Sequence, residues 1–304
     1  MKKKKWFMLG SVAGISAVVM LATGFSAMAG TSGYDAYKSA LKNTKTAHNV
    51  SVKTQMALQD NGNAFANANG SFKVSPENRT ASGTVTVISG GTDQSVSFFK
   101  QSSGTVLKSG ASDIYYVKPE HTDKKYAVKK MDREMPQQVE TVIDALVGNL
   151  KDYVTVESNT DGSKDVSVEL TNAQIPAVVS AIAPIAIKHA TSGHRHEFQN
   201  KNGTDKPEFP FDGHALLSGV PQLSQDIKIE KVAVKANINA SNYIQHQEAD
   251  ITVSGKDAGG AAHQVTLHLA ADLSGFNGTT PDTVDLTGKQ VQQMKQERNF
   301  HNAK

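Results

Sequence analysis

Three consecutive strand-length runs between residues 226 and 274, each apolar at alternate positions, constrain what this chain can fold into more than any other feature. In the second run Ala249, Ile251 and Val253 share one face, while Glu248, Asp250 and Thr252 share the other. In the third, Val265, Leu267, Leu269 and Leu273 oppose Gln264, Thr266, His268 and Asp272. A period of two with one apolar and one polar face is the pattern of an antiparallel sheet that is wet on one side. If the connection between the last two strands turns about Gly259, Ile251 falls opposite Leu267 and Val253 opposite Val265. The same register sets Asp250 beside His268 and His246 beside Asp272. A slip of one residue would put every side chain on the wrong face. A phase change between Ile229 and Val232 predicts a bulge in the first strand.

Residues 1–29 read as a secretion signal. Lys2, Lys3, Lys4 and Lys5 supply the charged region, residues 6–25 the apolar one, and Ala27-Met28-Ala29 a small-x-small cleavage site. An uncleaved anchor is the competing reading, because about 20 apolar residues can span a bilayer. The Ala-x-Ala end favours cleavage before Gly30, a secreted or cell-envelope location, and membrane contact only through the signal segment before cleavage. The chain has no cysteine, which excludes a lipoprotein anchor, disulfides, thiolate metal sites and a cysteine nucleophile. Four of the 32 basic residues belong to the signal, leaving 28 against 29 acidic ones, so a nucleic-acid partner has no electrostatic support.

Beyond the signal, Tyr34, Tyr37 and Leu41 are spaced for a short amphipathic helix over 34–47. Alternating residues at 50–58 lead into Asp60-Asn61-Gly62-Asn63, a strong hairpin signal, with the return strand over 64–74. Strands at 80–89, 94–101, 105–108, 114–118 and 125–128 follow at even spacing and suggest a continuous meander. The period then changes. Val139, Val142, Ile143, Leu146, Val147 and Leu150 form one face of a helix starting at Pro136. A hairpin over 153–157 and 165–170 turns through Asn159 to Gly162. Thr171-Asn172-Ala173-Gln174 fits a capping box that opens a second apolar helix running through Ile187, with Val179 on its apolar side and Pro184 kinking or ending it. Residues 188–224 form a long irregular excursion, and loops of that length are usually functional or disordered. Residues 289–304 read as a polar tail, leaving 30–288 as a single β-rich domain.

A leading helix, a run of antiparallel strands, an apolar helix pair and a closing three-strand meander behind a signal peptide resemble the half-barrel superfamily of bacterial lipoprotein carriers and lipid-binding lipoproteins of the LolA, LolB and LppX types. The helix start at 171–176 and the phrase TTPDTVDLTGK at 279–289 also resemble uncharacterised secreted Gram-positive proteins. The resemblance implies an α+β fold: a large curved antiparallel sheet, a half-barrel, with two or three helices packed on its concave face, where acyl chains can lie. This chain departs from the lipoprotein members in lacking an acylatable cysteine.

Three functional classes are carried forward. The first is a non-catalytic binding protein that holds a lipid or other apolar ligand between sheet and helices, its cavity lined by Phe98, Tyr116, Val142, Leu146, Val179, Ile251, Leu267 and Leu269. Core packing accounts for the same residues, as it does for Phe99, Tyr115 and Tyr126. The second is an interaction or sensing module with a closed sheet and an envelope protein partner. The third is metal binding by His194, His196, Glu197 and His214, histidine and carboxylate being suitable ligands outside the cell. No HExxH spacing accompanies them and Arg195 opposes a cation, so a solvated polar loop that happens to contain histidines is the favoured reading. A calcium loop over 157–169 fails because Val168 stands where the bidentate glutamate belongs. The His/Asp pairs of the meander lack a Gly-x-Ser-x-Gly nucleophile, so neither enzymatic activity nor a cofactor is expected.

Overall fold

The computed structural model describes residues 32–119, 152–177, 179–181, 183–184, 187 and 220–294. The signal, the expected strand at 125–128, the expected helix at 136–150 and almost all of the 188–224 excursion lie outside these residues.

One helix and twelve strands organise the described chain: α1 (Ser32–Lys45), β1 (Val50–Asp60), β2 (Asn63–Ser75), β3 (Thr80–Ser89), β4 (Thr92–Gln101), β5 (Gly104–Ser109), β6 (Tyr115–Pro119), β7 (Val154–Ser158), β8 (Lys164–Thr171), β9 (Gln225–Ile238), β10 (Ile244–Lys256), β11 (Ala262–Ser274) and β12 (Val291–Gln293). They form a single open sheet in the order β12-β6-β5-β4-β3-β2-β1-β11-β10-β9-β8-β7. Every described pairing is antiparallel except β12 on β6. A sheet this wide accumulates the handed twist of its strands, as a curved sheet requires.

The expected meander is continuous through the described strands β1 to β6, which neighbour one another in chain order. Strands β7 to β11 do the same, β8 and β9 being separated by residues 172–224, and the two runs join where β1 lies beside β11. This seam brings Met56 opposite Leu269 and Leu58 opposite Leu267, so the apolar rows of both halves merge. The last hairpin has the register that the alternation predicts, with Ile251 on Leu267, Val253 on Val265, Asp250 on His268 and His246 on Asp272. The bulge also falls where the phase changes: Thr252 pairs with Lys231 and Val253 with Ile229, leaving Glu230 as the extra residue. At the Asn61-Gly62 turn both residues have positive φ, 49° and 82°, as the tight hairpin demands.

Register assigns the two faces. On the apolar side, the row through Leu58, Ala66, Ala68, Phe72, Val85, Val87 and Val96 packs as one cluster across β1 to β4. Phe72 lies across two glycines of this face. A Cβ on Gly70 would stand 2.5 Å from its ring, and one on Gly83 would stand 2.6 Å from it. The ring occupies the volume those residues leave empty, an aromatic rescue of glycines in strands. Its centroid is 6.1 Å from that of Phe98.

On the other half of the same face, Tyr37 and Ala40 of α1 pack against Val166, Ala236, Ile238 and Ile244 of β8 to β10. Asp35 in the first turn and Lys42 and Lys45 in the last suit the helix dipole. The Tyr37 hydroxyl donates to Gln247 Oε1 at 2.9 Å, Ile244 N donates to Thr44 Oγ1 at 2.9 Å, and Asn43 Nδ2 donates to Ser241 O and Asn242 O, so the helix is fixed to both β10 and the β9–β10 turn.

Two expectations change. Gln174 Oε1 does accept from the Thr171 amide at 2.8 Å, but the box opens only a 3-10 turn, Asn172–Gln174. Ile175 has extended backbone (φ −71°, ψ 129°) because it precedes Pro176, whose ring disfavours helical geometry in the residue before it. Helical residues resume only at Ala177. Secondly, part of the supposed polar tail is sheet, since Val291–Gln293 pairs with Tyr115, Tyr116 and Val117. Between β11 and β12 the chain forms a strap across the polar face. Thr279 Oγ1 meets Ser51 Oγ of β1 at 2.9 Å, Asp282 meets Lys73 of β2 at 2.7 Å, the Asp282 amide donates to Ser82 Oγ of β3 at 2.8 Å, and the Val284 amide donates to Gln101 Oε1 of β4 at 2.6 Å.

Candidate functional site

The β1–β11 seam and its apolar side are the centre of the candidate site. Of the residues expected to line a cavity, Phe98, Tyr116, Ile251, Leu267 and Leu269 fall on this one face by register, through the chain of pairs Phe98–Leu107–Tyr116 in one half and Ile251–Leu267 and Ala249–Leu269 in the other. Phe98 and Leu267 pack against the same cluster, that of Leu58, Phe72 and Val85, while Tyr116 lies on β6, Ile251 on β10 and Leu269 on β11. Tyr116 and Leu269 are buried; Phe98, Ile251 and Leu267 are half-buried. Val179 is half-buried in the helical stretch after Pro176. Val142 and Leu146 lie outside the described residues.

His194, His196, Glu197 and His214 also lie outside them. Among the described residues, no group of three or more His, Cys, Asp or Glu side chains is arranged to hold a metal ion.

The histidines of the meander occupy the polar side. His268 Nδ1 is 2.7 Å from Asp250 Oδ1, and His246 Nδ1 is 2.7 Å from Asp272 Oδ1 with Glu248 Oε2 at 3.7 Å from its other nitrogen. These are the cross-strand partners that the register dictates, and they are partly exposed, where such pairs add little stability. Also on this side, a depression of about 270 Å³ lies along the strap, bordered by Ser71, Lys73, Ser82, Thr84, Phe99 and Asp282. Its volume is just below the usual range for ligand pockets, and its two charged residues neutralise each other.

A third histidine belongs to the apolar side, and nothing local in the sequence announces it. His263 is two residues before Val265 on β11, and Asp60 is the partner of Val265 across the seam. His263 Nδ1 lies 2.8 Å from Asp60 Oδ2, while His263 Nε2 lies 3.6 Å from Asp257 Oδ2. The side chains are 17%, 24% and 35% exposed for His263, Asp60 and Asp257. The hydrogen bond that His263 donates to Asp60 raises the His263 pKa above the usual imidazole value, with Asp257 adding to the effect against a smaller opposing cost of burial. The Ala261 amide, which donates to Asp257 at 2.9 Å, holds the Asp257 carboxyl below its ordinary value. Asp60 Oδ1 is shielded from solvent and has no hydrogen-bond partner. Because the pairing of β1 with β11 is non-local, only the assembled sheet shows that these three groups meet.

Among the described residues no helix is long and apolar enough to cross a membrane. No protein-family model matches the chain, and no curated protein matches it. Similarity to solved structures is faint. A lipovitellin structure concerned with lipid–protein interactions is 9% identical, and the match covers 79% of this chain and 26% of that one with a TM-score of 0.26. The chain thus spans about a quarter of that lipovitellin chain. MucB, solved in complex with MucA(peri), is 7% identical, with 84% of this chain and 100% of that one covered at a TM-score of 0.21. At these scores neither likeness carries an argument about fold or function.

Proposed function

We propose that the protein is an extracytoplasmic, non-catalytic binding protein that holds a lipid or other apolar ligand against the apolar face of its sheet. One observation carries the reading: the apolar rows of two meanders merge at the β1–β11 seam into one continuous face, on which α1 packs over β7 to β10 and Val220 packs against the buried cluster of β1 to β4. An apolar ligand would lie between this face and the segments that cover it, the concave and mostly apolar setting that ligand sites use. The charged leader, apolar run and Ala27-Met28-Ala29 end support export.

The test is organic extraction of the purified full chain followed by mass spectrometry, together with titration of a fluorescent fatty-acid analogue. A co-purifying lipid or saturable binding, abolished by Leu267→Asp in a protein that retains its β-sheet circular dichroism, is the expected result. An extract free of lipid and no saturable binding by the wild type would overturn the reading.

A further inference from the structure

We infer that His263 is a proton-operated clasp at one end of the β1–β11 seam, holding Asp60 to Asp257 while both ring nitrogens carry a proton and releasing that end when one proton is lost. The two carboxylates come from different runs of the sheet, Asp60 from the end of β1 and Asp257 from the turn between β10 and β11. His263 reaches both, with Nδ1 2.8 Å from Asp60 Oδ2 and Nε2 3.6 Å from Asp257 Oδ2. An ionised carboxylate only accepts hydrogen bonds, whereas a neutral imidazole has one donor and one lone pair. Both contacts are therefore attractive only in the imidazolium form. In the neutral ring one nitrogen turns a lone pair towards a carboxylate, and no positive charge stands between the two aspartates.

The surroundings leave this charge to His263. Among the described residues, Asp60 and Asp257 are the charged groups that act on the ring. Its partner on β10 is Gly255, which has no side chain, and the adjacent Lys256 Nζ bonds Asp226 Oδ2 at 2.8 Å. Asp60 Oδ1 is out of solvent and accepts no hydrogen bond, so this carboxylate depends on the imidazolium at Oδ2. Asp257 is fixed to its own turn by the Ala261 amide at 2.9 Å. Release therefore falls on the Asp60 side. The next contact along the chain is the Asn61 amide, which donates to Gln264 O across the seam at 3.0 Å. His246 also lies between two carboxylates, but those belong to β10 and β11 of one hairpin, and Lys235 Nζ already binds Glu248 at 3.0 Å.

The raised pKa of His263 sets the direction of the effect. The clasp is complete below pH 6.5, the ordinary imidazole value, and is lost as the pH rises through the raised one. Asp257, whose pKa is lowered, stays ionised over that range. Amide hydrogen exchange of the full chain from about pH 5.5 to about pH 8.5, expressed as protection factors to remove the intrinsic pH dependence, tests this. Protection at Asn61 should fall about 10-fold, the scale of one charge-assisted hydrogen bond, in step with the His263 ring protons followed by NMR. Protection at Tyr115, on the distant β6, should stay level. His263→Gln keeps a donor but cannot titrate, and should abolish the fall; His246→Gln should leave it in place. A level profile at Asn61, a fall that survives His263→Gln, or an equal fall at Tyr115 would overturn the clasp and leave the proposed function standing. If His263→Gln does not fold, the wild type decides, because a fall at Asn61 whose midpoint differs from that of the His263 ring would overturn the inference.

Discussion

Replacing Tyr37 with Phe tests whether α1 is docked on the sheet as described. The ring is buried among Val166, Ala236 and Ile238, and its hydroxyl donates to Gln247 Oε1 at 2.9 Å. Phenylalanine keeps the ring and removes the donor, which should cost about 1 kcal/mol near pH 8. Burial pushes the Tyr37 pKa up to about 12, against a smaller lowering by the Gln247 bond. Above pH 10 the unfolded chain therefore loses the Tyr37 proton while the folded protein keeps it, so stability falls as pH rises from 10 towards 12. Between about pH 8 and about pH 11 that linkage removes about 1.4 kcal/mol from the wild type, one pKa unit's worth. Tyr37→Phe is free of this loss. Urea unfolding followed by circular dichroism at both pH values should show the wild type more stable at pH 8 and the difference gone or reversed at pH 11. Parallel losses in the two proteins would refute the burial of Tyr37 beneath α1.

Two further substitutions probe the two faces. Gly83→Ala would place a Cβ 2.7 Å from the Ser71 carbonyl oxygen and 2.6 Å from the Phe72 ring; overpacking of this kind should cost about 1–3 kcal/mol in urea unfolding, and a neutral result would refute the position given to Phe72. Asp282→Ala removes the partly exposed ion pair to Lys73 and the bond from the buried Ser82. Its cost should be about 1 kcal/mol, more than that of Lys73→Ala. Hydrogen exchange at the Tyr115 amide, which donates to Gln290 O, should accelerate as the strap loosens, and unchanged exchange would show that Asp282 does not hold it.

What was legible in the sequence is whatever adjacent residues decide. Alternation in β10 and β11 sets their register, Asn61-Gly62 sets the first hairpin, and the phase change at Glu230 marks the bulge. What was hidden depends on distant partners. Val291–Gln293 has no apolar alternation because it is an edge strand of three residues whose place comes from the backbone of β6 and the strap's anchors on β1 to β4. Thr171 and Gln174 were visible as a capping box, but Pro176 breaks the helix they were expected to open. His263 resembled the other meander histidines until pairing with β1 brought Asp60 beside it, on the opposite face from His246 and His268.

The cluster of Asp60, His263 and Asp257 ties the two halves of the sheet together. Asp60 belongs to the first meander, while His263 and Asp257 belong to the second, so their contacts cross the seam. Asn61 crosses it too, its amide donating to Gln264 O at 3.0 Å while its Oδ1 accepts from the Gln264 amide at 3.0 Å. The strap lies on the polar side, tied to β1 through β4 by Thr279, Asp282 and Val284, so its anchors occupy none of the apolar surface. The two faces thus separate their tasks: contacts across the polar face hold the far edge, while the apolar face carries the seam and the buried clusters on either side of it.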